Sequence, residues 1–268
     1  MTSAQQSQVG ALVREWRTRR RLSQLDLALR TGVSSRHVSF VETGRTRPSR
    51  QMLLRLAEEL EIPLRERNHL LLGGGFAPVY PERSLDAPEL APVRDAVRQV
   101  LTGHSPYPAV AVDRHFNAVE TNRAARWLLT EGVAADLLEP PVNTLRCSLH
   151  PRGFAPRVAN LGEWRAHLLG RLRRQVHVTG DEQLGALYTE LRELPCTQEE
   201  PEVELPGPGD VVVPLRLRHE DRELSFFTTL AVIGTPLDVT AAEIMIESFF
   251  PADAATARFL QEFHLPLE

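Results

Sequence analysis

The chain has 268 residues, of which 42% are hydrophobic, and a formal net charge of −4. This length predicts two domains, each with an ordinary core. No apolar run approaches the roughly 18 residues that a membrane-spanning helix needs, and residues 1–10 lack the apolar core of a secretory signal. The two cysteines, Cys147 and Cys196, have neither the number nor the spacing of a disulfide framework or a zinc site. We therefore expect a cytoplasmic protein with no membrane partner, no metal and no catalytic cofactor.

Charge is distributed unevenly along the chain. Residues 1–75 contain 13 arginines and 7 acidic residues, a balance of +6, whereas the remainder contains 18 arginines and 28 acidic residues, a balance of −10. A basic segment joined to an acidic one is typical of a protein in which only the first part meets a polyanion such as DNA.

Five helices are predicted within residues 1–75. Val9, Val13 and Trp16 recur at helical spacing and indicate an amphipathic helix over residues 9–21. The starts of three of the other helices are marked by serines in the N-cap position, and proline or glycine marks the ends. These four helices are expected over residues 24–30, 35–44, 50–62 and 64–72.

The glycine triplet at residues 73–75 ends this helical array and leads into a stretch rich in proline. A domain boundary is predicted there. We expect a helical domain over residues 1–75, a linker over 76–88 and a second domain over 89–268.

The second domain is predicted to mix helices and strands. Alternating residues around a polar turn give the stronger of two hairpin signals, at residues 211–219 and 224–232, and short apolar runs give another at 108–113 and 117–120. Helical patterns fall at residues 89–102, 122–130, 161–178 and 182–194. Residues 139–141 are expected to be irregular, and residues 197–210, crowded with Glu, Pro and Gly, to form a surface loop.

Residues 22–49 carry the strongest functional signal, and they read LSQLDLALRTGVSSRHVSFVETGRTRPS. Leu27 and Ala28 are placed to face inward from the first helix of this segment, Gly32 permits a tight turn, and valines seat the second helix on the same core. The opposite face of the second helix is left free, and its N-terminal residues are placed to reach base edges in a major groove. That face carries Ser35, Arg36, Ser39 and Phe40.

This segment resembles the lambda-repressor-like helix-turn-helix of the Xre family of bacterial transcriptional regulators. The resemblance implies that Gln24 contacts a phosphate at a helix N-terminus, that Arg36 reads guanine and that Phe40 contacts a thymine methyl group. Two alternatives stay open, since Arg36 could contact a phosphate and Phe40 could pack against the core. The expected contacts to double-stranded operator DNA are Gln24, Ser34, Ser35, Arg36, Ser39, Phe40, Arg45 and Arg47.

The same resemblance implies a structural ion pair between Arg17 and Glu42, which would join the first and third helices. It also bears on oligomeric state. One such helix covers only a short half-site, so a homodimer on a palindromic operator is the economical arrangement, while direct repeats or a monomer remain open.

A longer match narrows the resemblance to the MmyB-like subfamily of these regulators. It rests on residues 44–60, GRTRPSRQMLLRLAEEL, and 64–78, LRERNHLLLGGGFAP, together with 107–113, YPAVAVD, and 122–129, NRAARWLL. The resemblance implies a multidomain chain in which an all-α domain is followed by an α/β (α+β) domain with a PAS-like sheet flanked by helices. It further implies that this sheet encloses a pocket for fatty-acid-like or other lipophilic ligands.

Aromatic and basic residues of the second domain are the candidates for such a pocket. An apolar chain would contact aromatic side chains, and a carboxylate would favour an arginine donor, although core packing and solvent exposure are the ordinary roles of these residues. The candidate ligand-binding residues are Trp127, Trp164, Phe226, Arg123, Arg126 and Arg146.

Two other functions are conceivable for the second domain, enzymatic catalysis and dimerisation. Cys147 and His150 lie three residues apart, but no third group is placed to orient the imidazole, and enzymatic catalysis is therefore not predicted. His219 and Glu220 lack the spacing of a zinc-protease motif and are expected to be solvated turn residues. A domain with a filled core that serves only for dimerisation remains open.

Overall fold

The computed structural model describes residues 3–201 and 212–262. Their contacts divide the chain into two compact units: residues 1–84 with 235–242, and residues 85–234 with 243–268. Residues 235–242 therefore pack with the first unit although the chain on either side of them belongs to the second. Within the described residues, no helix is long and apolar enough to cross a membrane.

The first unit is helical, as expected. The helix predicted at residues 9–21 begins earlier, at Ser3, and ends at Arg19. Ser23 forms a capping box with Asp26, since each side chain accepts a hydrogen bond from the other residue's backbone N–H. The five helices of its N-terminal part are α1 (Ser3–Arg19), α2 (Gln24–Thr31), α3 (Ser35–Glu42), α4 (Arg50–Glu59) and α5 (Leu64–Gly73).

Gly10 lets α1 approach the end of α3 unusually closely. A Cβ added at Gly10 would lie 2.5 Å from the carbonyl oxygens of both Val41 and Glu42. At the end of α2, Gly32 has a left-handed φ of 68°, which allows the tight turn into α3. The buried core of this unit includes Val9, Val13, Trp16, Leu27, Ala28, Val38, Val41, Leu53 and Leu56.

The second unit contains the predicted helices and others that sequence patterns did not indicate. The helices that were predicted are α6 (Ala91–Gly103), α7 (Arg123–Thr130), α9 (Leu161–Thr179) and α10 (Glu182–Glu193). The helices of this unit that were not predicted are α8 (Thr144–Leu149) and α12 (Ala254–Glu262). The short α11 (Val239–Ala242) was not predicted either, and it belongs to the first unit.

The described part of the second unit contains one five-stranded antiparallel sheet, in the order β2-β1-β5-β4-β3. Both predicted hairpins are confirmed, and the fold class is the predicted one: a helical domain followed by an α/β domain built on an antiparallel sheet. The strands are β1 (Ala109–Val112), β2 (Ala118–Thr121), β3 (Leu215–His219), β4 (Arg222–Val232) and β5 (Met245–Pro251).

Three details of the predicted strands were wrong. The third strand begins at Leu215, because Pro214 has no N–H to donate to a sheet; Val211, and most of the loop predicted at residues 197–210, lie outside the described residues. The fourth strand begins at Arg222, directly after a turn in which Glu220 has a left-handed φ of 52°. The central strand β5 was not predicted at all.

The two faces of the sheet pack against different helices. Ala109, Ala111 and Ile246 lie on one face and pack with α6. Val110, Val112, Phe226 and their neighbours lie on the other face, in the larger core that includes residues of α7, α8, α9 and α12. Alternate residues of a strand face opposite sides, so this division follows directly from the register of the sheet.

Candidate nucleic-acid interface and ligand site

The outer face of α3 is polar and accessible. Its buried residues Val38 and Val41 fix the helix on the core, while Ser35 and Arg36 at its N-terminus are exposed and Ser39 is half-buried. A helix held in this way presents its first turn to solvent, which is the geometry that allows side chains to reach base edges in a major groove.

Phe40 lies among the arginines of this surface. The guanidinium carbon of Arg36 is 5.2 Å from the centroid of the Phe40 ring, and that of Arg45 is 5.9 Å away. These are cation–π distances, and they restrict two long side chains that would otherwise be mobile. Arg47 is similarly placed over Phe76, at 5.7 Å.

Two of the residues expected to contact DNA also bond within the protein. The Ser34 hydroxyl accepts a hydrogen bond from the His37 backbone N–H at 3.1 Å, and so caps α3. The Gln24 side-chain amide donates to Glu42 Oε2 at 2.7 Å. A primary amide has two hydrogens, so one of them is left for a phosphate oxygen.

The side chains of Arg17 and Glu42 form a bidentate ion pair between α1 and α3. Arg17 Nε and Nη2 donate to the two carboxylate oxygens of Glu42 at 2.6 and 3.0 Å, and Nη1 donates to the Leu22 carbonyl oxygen at 2.7 Å. The hydrogen bond to Glu42 raises the pKa of Arg17 and outweighs the opposing effect of burial. The pair therefore connects two helices and the loop that leads into α2.

The three aromatic candidates of the second unit belong to one core cluster. Trp164 is buried, and its indole Nε1 donates to Ser148 Oγ at 3.0 Å. Phe226 is fully buried. Trp127 is half-buried and meets the His219 ring edge-on at a centroid distance of 5.2 Å. His219 is itself buried, so the expectation of a solvated turn residue was wrong for it.

The three candidate arginines lie outside that cluster. Arg123 and Arg126 are exposed on α7. Arg146 donates two hydrogen bonds to Glu190, at 2.6 and 2.8 Å, and these bonds raise the pKa of Arg146 and lower that of Glu190.

Another arginine, which sequence reasoning missed, reaches the core. Arg171 Nη1 donates to Glu247 Oε1 at 2.9 Å, and the guanidinium lies 5.1 Å from the centroid of the Phe116 ring. The one available signal was Glu247 itself, a lone charge within the apolar run that forms β5.

Cys147 and His150 do not form a pair of nucleophile and base. Cys147 is fully buried, its thiol donates to the Leu137 carbonyl oxygen at 3.5 Å, and burial raises its pKa to about 11. The thiol is therefore protonated at neutral pH and a poor nucleophile. His150 Nδ1 instead accepts from the Arg152 backbone N–H at 3.0 Å. Within the described part of the chain, no cluster of His, Cys, Asp and Glu is arranged to hold a metal.

An all-α unit with an exposed polar helix, followed by an α/β unit with a five-stranded antiparallel sheet, is the architecture expected of a DNA-binding transcriptional regulator with a ligand-binding domain. Residues 13–67 match the helix-turn-helix family, and residues 93–263 match the family described as the MmyB-like transcription regulator ligand binding domain. The second match covers more than half of the chain. The protein therefore belongs to the MmyB-like transcription regulators.

No curated protein matches the chain. Among solved structures, the chain is similar to the clp gene regulator ClgR from Corynebacterium glutamicum, with 20% sequence identity over 38% of this chain and 95% of that one and a TM-score of 0.24.

Proposed function

We propose that the protein is a sequence-specific transcriptional regulator whose affinity for its operator changes when a small lipophilic, fatty-acid-like molecule binds to the second unit. It acts as a homodimer on a palindromic site, because one α3 helix covers only a short half-site. In this proposal the second unit binds a ligand and does not catalyse a reaction.

The DNA-binding roles proposed for individual residues follow from their positions. Arg36 is exposed in the first turn of α3, where an arginine can offer two parallel donors to guanine. Arg45 and Arg47 follow α3 and are exposed, which suits contacts to the phosphate backbone. The charge of +6 over residues 1–75 supplies the attraction that such contacts need.

One observation carries the ligand part of the proposal: the described residues do not cover the face of the sheet that holds the main core along its whole length. On β4, Phe226 is fully buried and Thr228 is half-buried. Farther along the same face, Leu230 and Val232 are 45% and 67% exposed. An apolar surface that continues from a core to solvent is a place where an alkyl chain can be buried.

Regulation requires that the ligand prefer one of two states of the protein, because a ligand with equal affinity for both leaves their populations unchanged. The connection between β4 and β5 suits this purpose. Its residues 235–242 pack with the first unit, so the strands that carry the apolar face continue directly into a segment of the DNA-binding unit.

The test combines stability with DNA affinity. Dodecanoic acid, its methyl ester and 1-dodecanol are added to the full-length protein, and thermal unfolding is followed. A ligand at about a hundredfold excess over its Kd should stabilise the second unit by about 2.7 kcal/mol. The same compound should change the Kd for an operator selected from random DNA, whereas acetate and methanol, which lack the alkyl chain, should do neither.

Two results would contradict this proposal. If none of the three compounds changes the unfolding temperature, and no apolar molecule is released from the purified protein by solvent extraction, the second unit has a filled core and serves for dimerisation. If a compound binds but leaves operator affinity unchanged, ligand binding is not regulatory.

A further inference from the structure

A charged pair lies in the core of the second unit, where charge is costly. Arg171 of α9 and Glu247 of the central strand β5 are joined by a hydrogen bond of 2.9 Å, and their side chains are only 14% and 6% exposed. Removing charges from water is costly unless they are paired and their remaining donors and acceptors are satisfied.

One donor of this pair is left unsatisfied. Arg171 Nη2 is buried and has no hydrogen-bond acceptor among the described residues. Buried polar groups in folded proteins nearly always have a partner, and an exception calls for an explanation. An acceptor supplied by a bound molecule would be such an explanation.

Phe116 supports this interpretation. Its ring is fully buried under the Arg171 guanidinium, and its backbone has a left-handed φ of 65°, a costly conformation for a bulky residue. Asp113 holds the turn, because its carboxylate accepts from the backbone N–H groups of His115 and Asn117, both at 2.8 Å. Strained residues that are held in place in this way are typical of ligand sites.

The pair lies beside the open apolar face. In the sheet register, Val110, Glu247 and Leu230 are direct neighbours across three strands, so their side chains point to the same side. Val110 is in the core, whereas Leu230 is exposed. An alkyl chain lying along Leu230 and Val232 would bring a terminal polar group towards Arg171.

Charge decides which polar group fits. The positive charge of Arg171 is already balanced by Glu247, so an ionised carboxylate would add an uncompensated negative charge close to the Glu247 carboxylate. A carbonyl oxygen satisfies the same donor without adding charge. We propose that Arg171 Nη2 binds the carbonyl oxygen of an uncharged lipophile, such as a fatty-acyl ester, amide or ketone, and that Glu247 selects against free carboxylates. This inference rests on the proposed function and narrows its ligand.

The experiment compares three probes that share a chain: methyl dodecanoate, dodecanoate at pH about 8, and dodecane, each below the concentration at which it aggregates. Binding to the full-length protein is measured by displacement of a fluorescent lipophile. Methyl dodecanoate should bind about tenfold more tightly than dodecanoate, because one hydrogen bond is gained and one buried charge is avoided. Glu247→Gln should reverse this preference, since Arg171 then needs an anion.

A second variant covers the case in which Glu247→Gln does not fold. The double substitution Arg171→Met, Glu247→Leu removes both charges together, a change that cores commonly tolerate. It should bind methyl dodecanoate and dodecane equally well. The matched control is Arg157→Met, which removes an arginine paired with Glu131 in the same unit at 2.6 Å and should leave the ester preference unchanged.

The possible results separate this inference from the proposed function. If dodecanoate binds the wild-type protein as tightly as methyl dodecanoate does, the assignment of Arg171 is wrong while lipophile sensing stands. The same holds if the doubly substituted protein still binds methyl dodecanoate more tightly than dodecane. If none of the probes, dodecane included, binds the wild-type protein, then the proposed function fails and the inference fails with it.

Discussion

At the scale of single residues, arginines that look alike in the sequence lie at different positions on the proposed DNA-binding surface. Arg36 lies in the first turn of α3, whereas Arg45 lies beyond its end, and both guanidinium groups are placed over Phe40. The shared ring orients both side chains. In the proposed complex the two arginines would differ in the part of the DNA that each reaches, since only the first turn of a recognition helix is aimed at base edges.

This difference gives a prediction for two substitutions. Arg36→Ala should cost about 1–3 kcal/mol of binding free energy and relax specificity at one base pair. Arg45→Ala should weaken binding to all sequences alike and reduce the salt dependence, the slope of log K against log salt, by about 1. Both are measured against operators with single base-pair changes at several salt concentrations.

The control for this comparison is Arg192→Ala, which makes the same change of charge at an exposed position of α10 and should leave specificity unaltered. A loss with Arg36→Ala that is equal for every sequence would identify Arg36 as a phosphate contact. An unchanged salt slope with Arg45→Ala would remove Arg45 from the interface.

At the scale of helices, the orientation of α3 depends on its contact with α1. The ion pair of Arg17 with Glu42 fixes one point of that contact, and the close approach at Gly10 fixes another. Because the carbonyl groups at the end of α3 belong to its rigid backbone, they cannot move away from a new methyl group as a flexible side chain would.

Gly10→Ala should therefore destabilise the first unit by about 1–3 kcal/mol, the range of overpacked cores, and weaken operator binding by moving α3. Gly185→Ala is the control, because Gly185 also lies inside a helix but has nothing closer than 4.0 Å to an added Cβ. There the usual helix preference for alanine should raise stability, by up to about 1 kcal/mol. Chemical denaturation of both variants tests this, and equal effects at the two positions would show that the α1–α3 contact is not tight.

At the scale of the whole molecule, the chain passes from one unit to the other on both sides of residues 235–242. Within the first unit that segment is held by side-chain and backbone bonds. Arg83 Nη1 pairs with Asp238 Oδ2 at 2.9 Å, Thr240 Oγ1 donates to the Arg83 carbonyl oxygen at 2.6 Å, and the Val239 N–H donates to the Pro81 carbonyl oxygen at 2.8 Å.

If ligand binding acts on DNA affinity through residues 235–242, weakening their attachment to the rest of the first unit should reduce the effect of the ligand on DNA affinity. Asp238→Asn should leave ligand affinity and ligand-free operator affinity within about twofold of wild type while reducing the change that a lipophile causes, because coupling is a free energy separate from either binding step. Operator titrations with and without methyl dodecanoate measure it. Asp136→Asn, which breaks an exposed pair with Arg152, is the control. A full ligand response in Asp238→Asn would place the coupling elsewhere.

Local patterns in the sequence predicted much of this organisation. Serine caps, the glycine of the helix turn and the spacing of apolar residues are short-range features, so the helix-turn-helix and the two hairpins were identified from them. The expected DNA-facing surface of α3 rested on the same periodicity. Strand β5 was missed because its two faces pack against different layers and it contains Glu247, which hides any alternation of apolar and polar residues.

The sequence by itself determined the class of this protein: a basic helix-turn-helix unit followed by an acidic α/β unit of the MmyB-like kind. Only the tertiary structure decided that Arg171 enters the core of the second unit. Arg171 and Glu247 are 76 residues apart, and no periodicity links them. The assignment of residues 235–242 to the first unit is decided in the same way, since a hydrogen bond such as that of Arg83 with Asp238 spans 155 residues. Contacts at such separations depend on how the elements pack, and packing is not recorded in any local pattern.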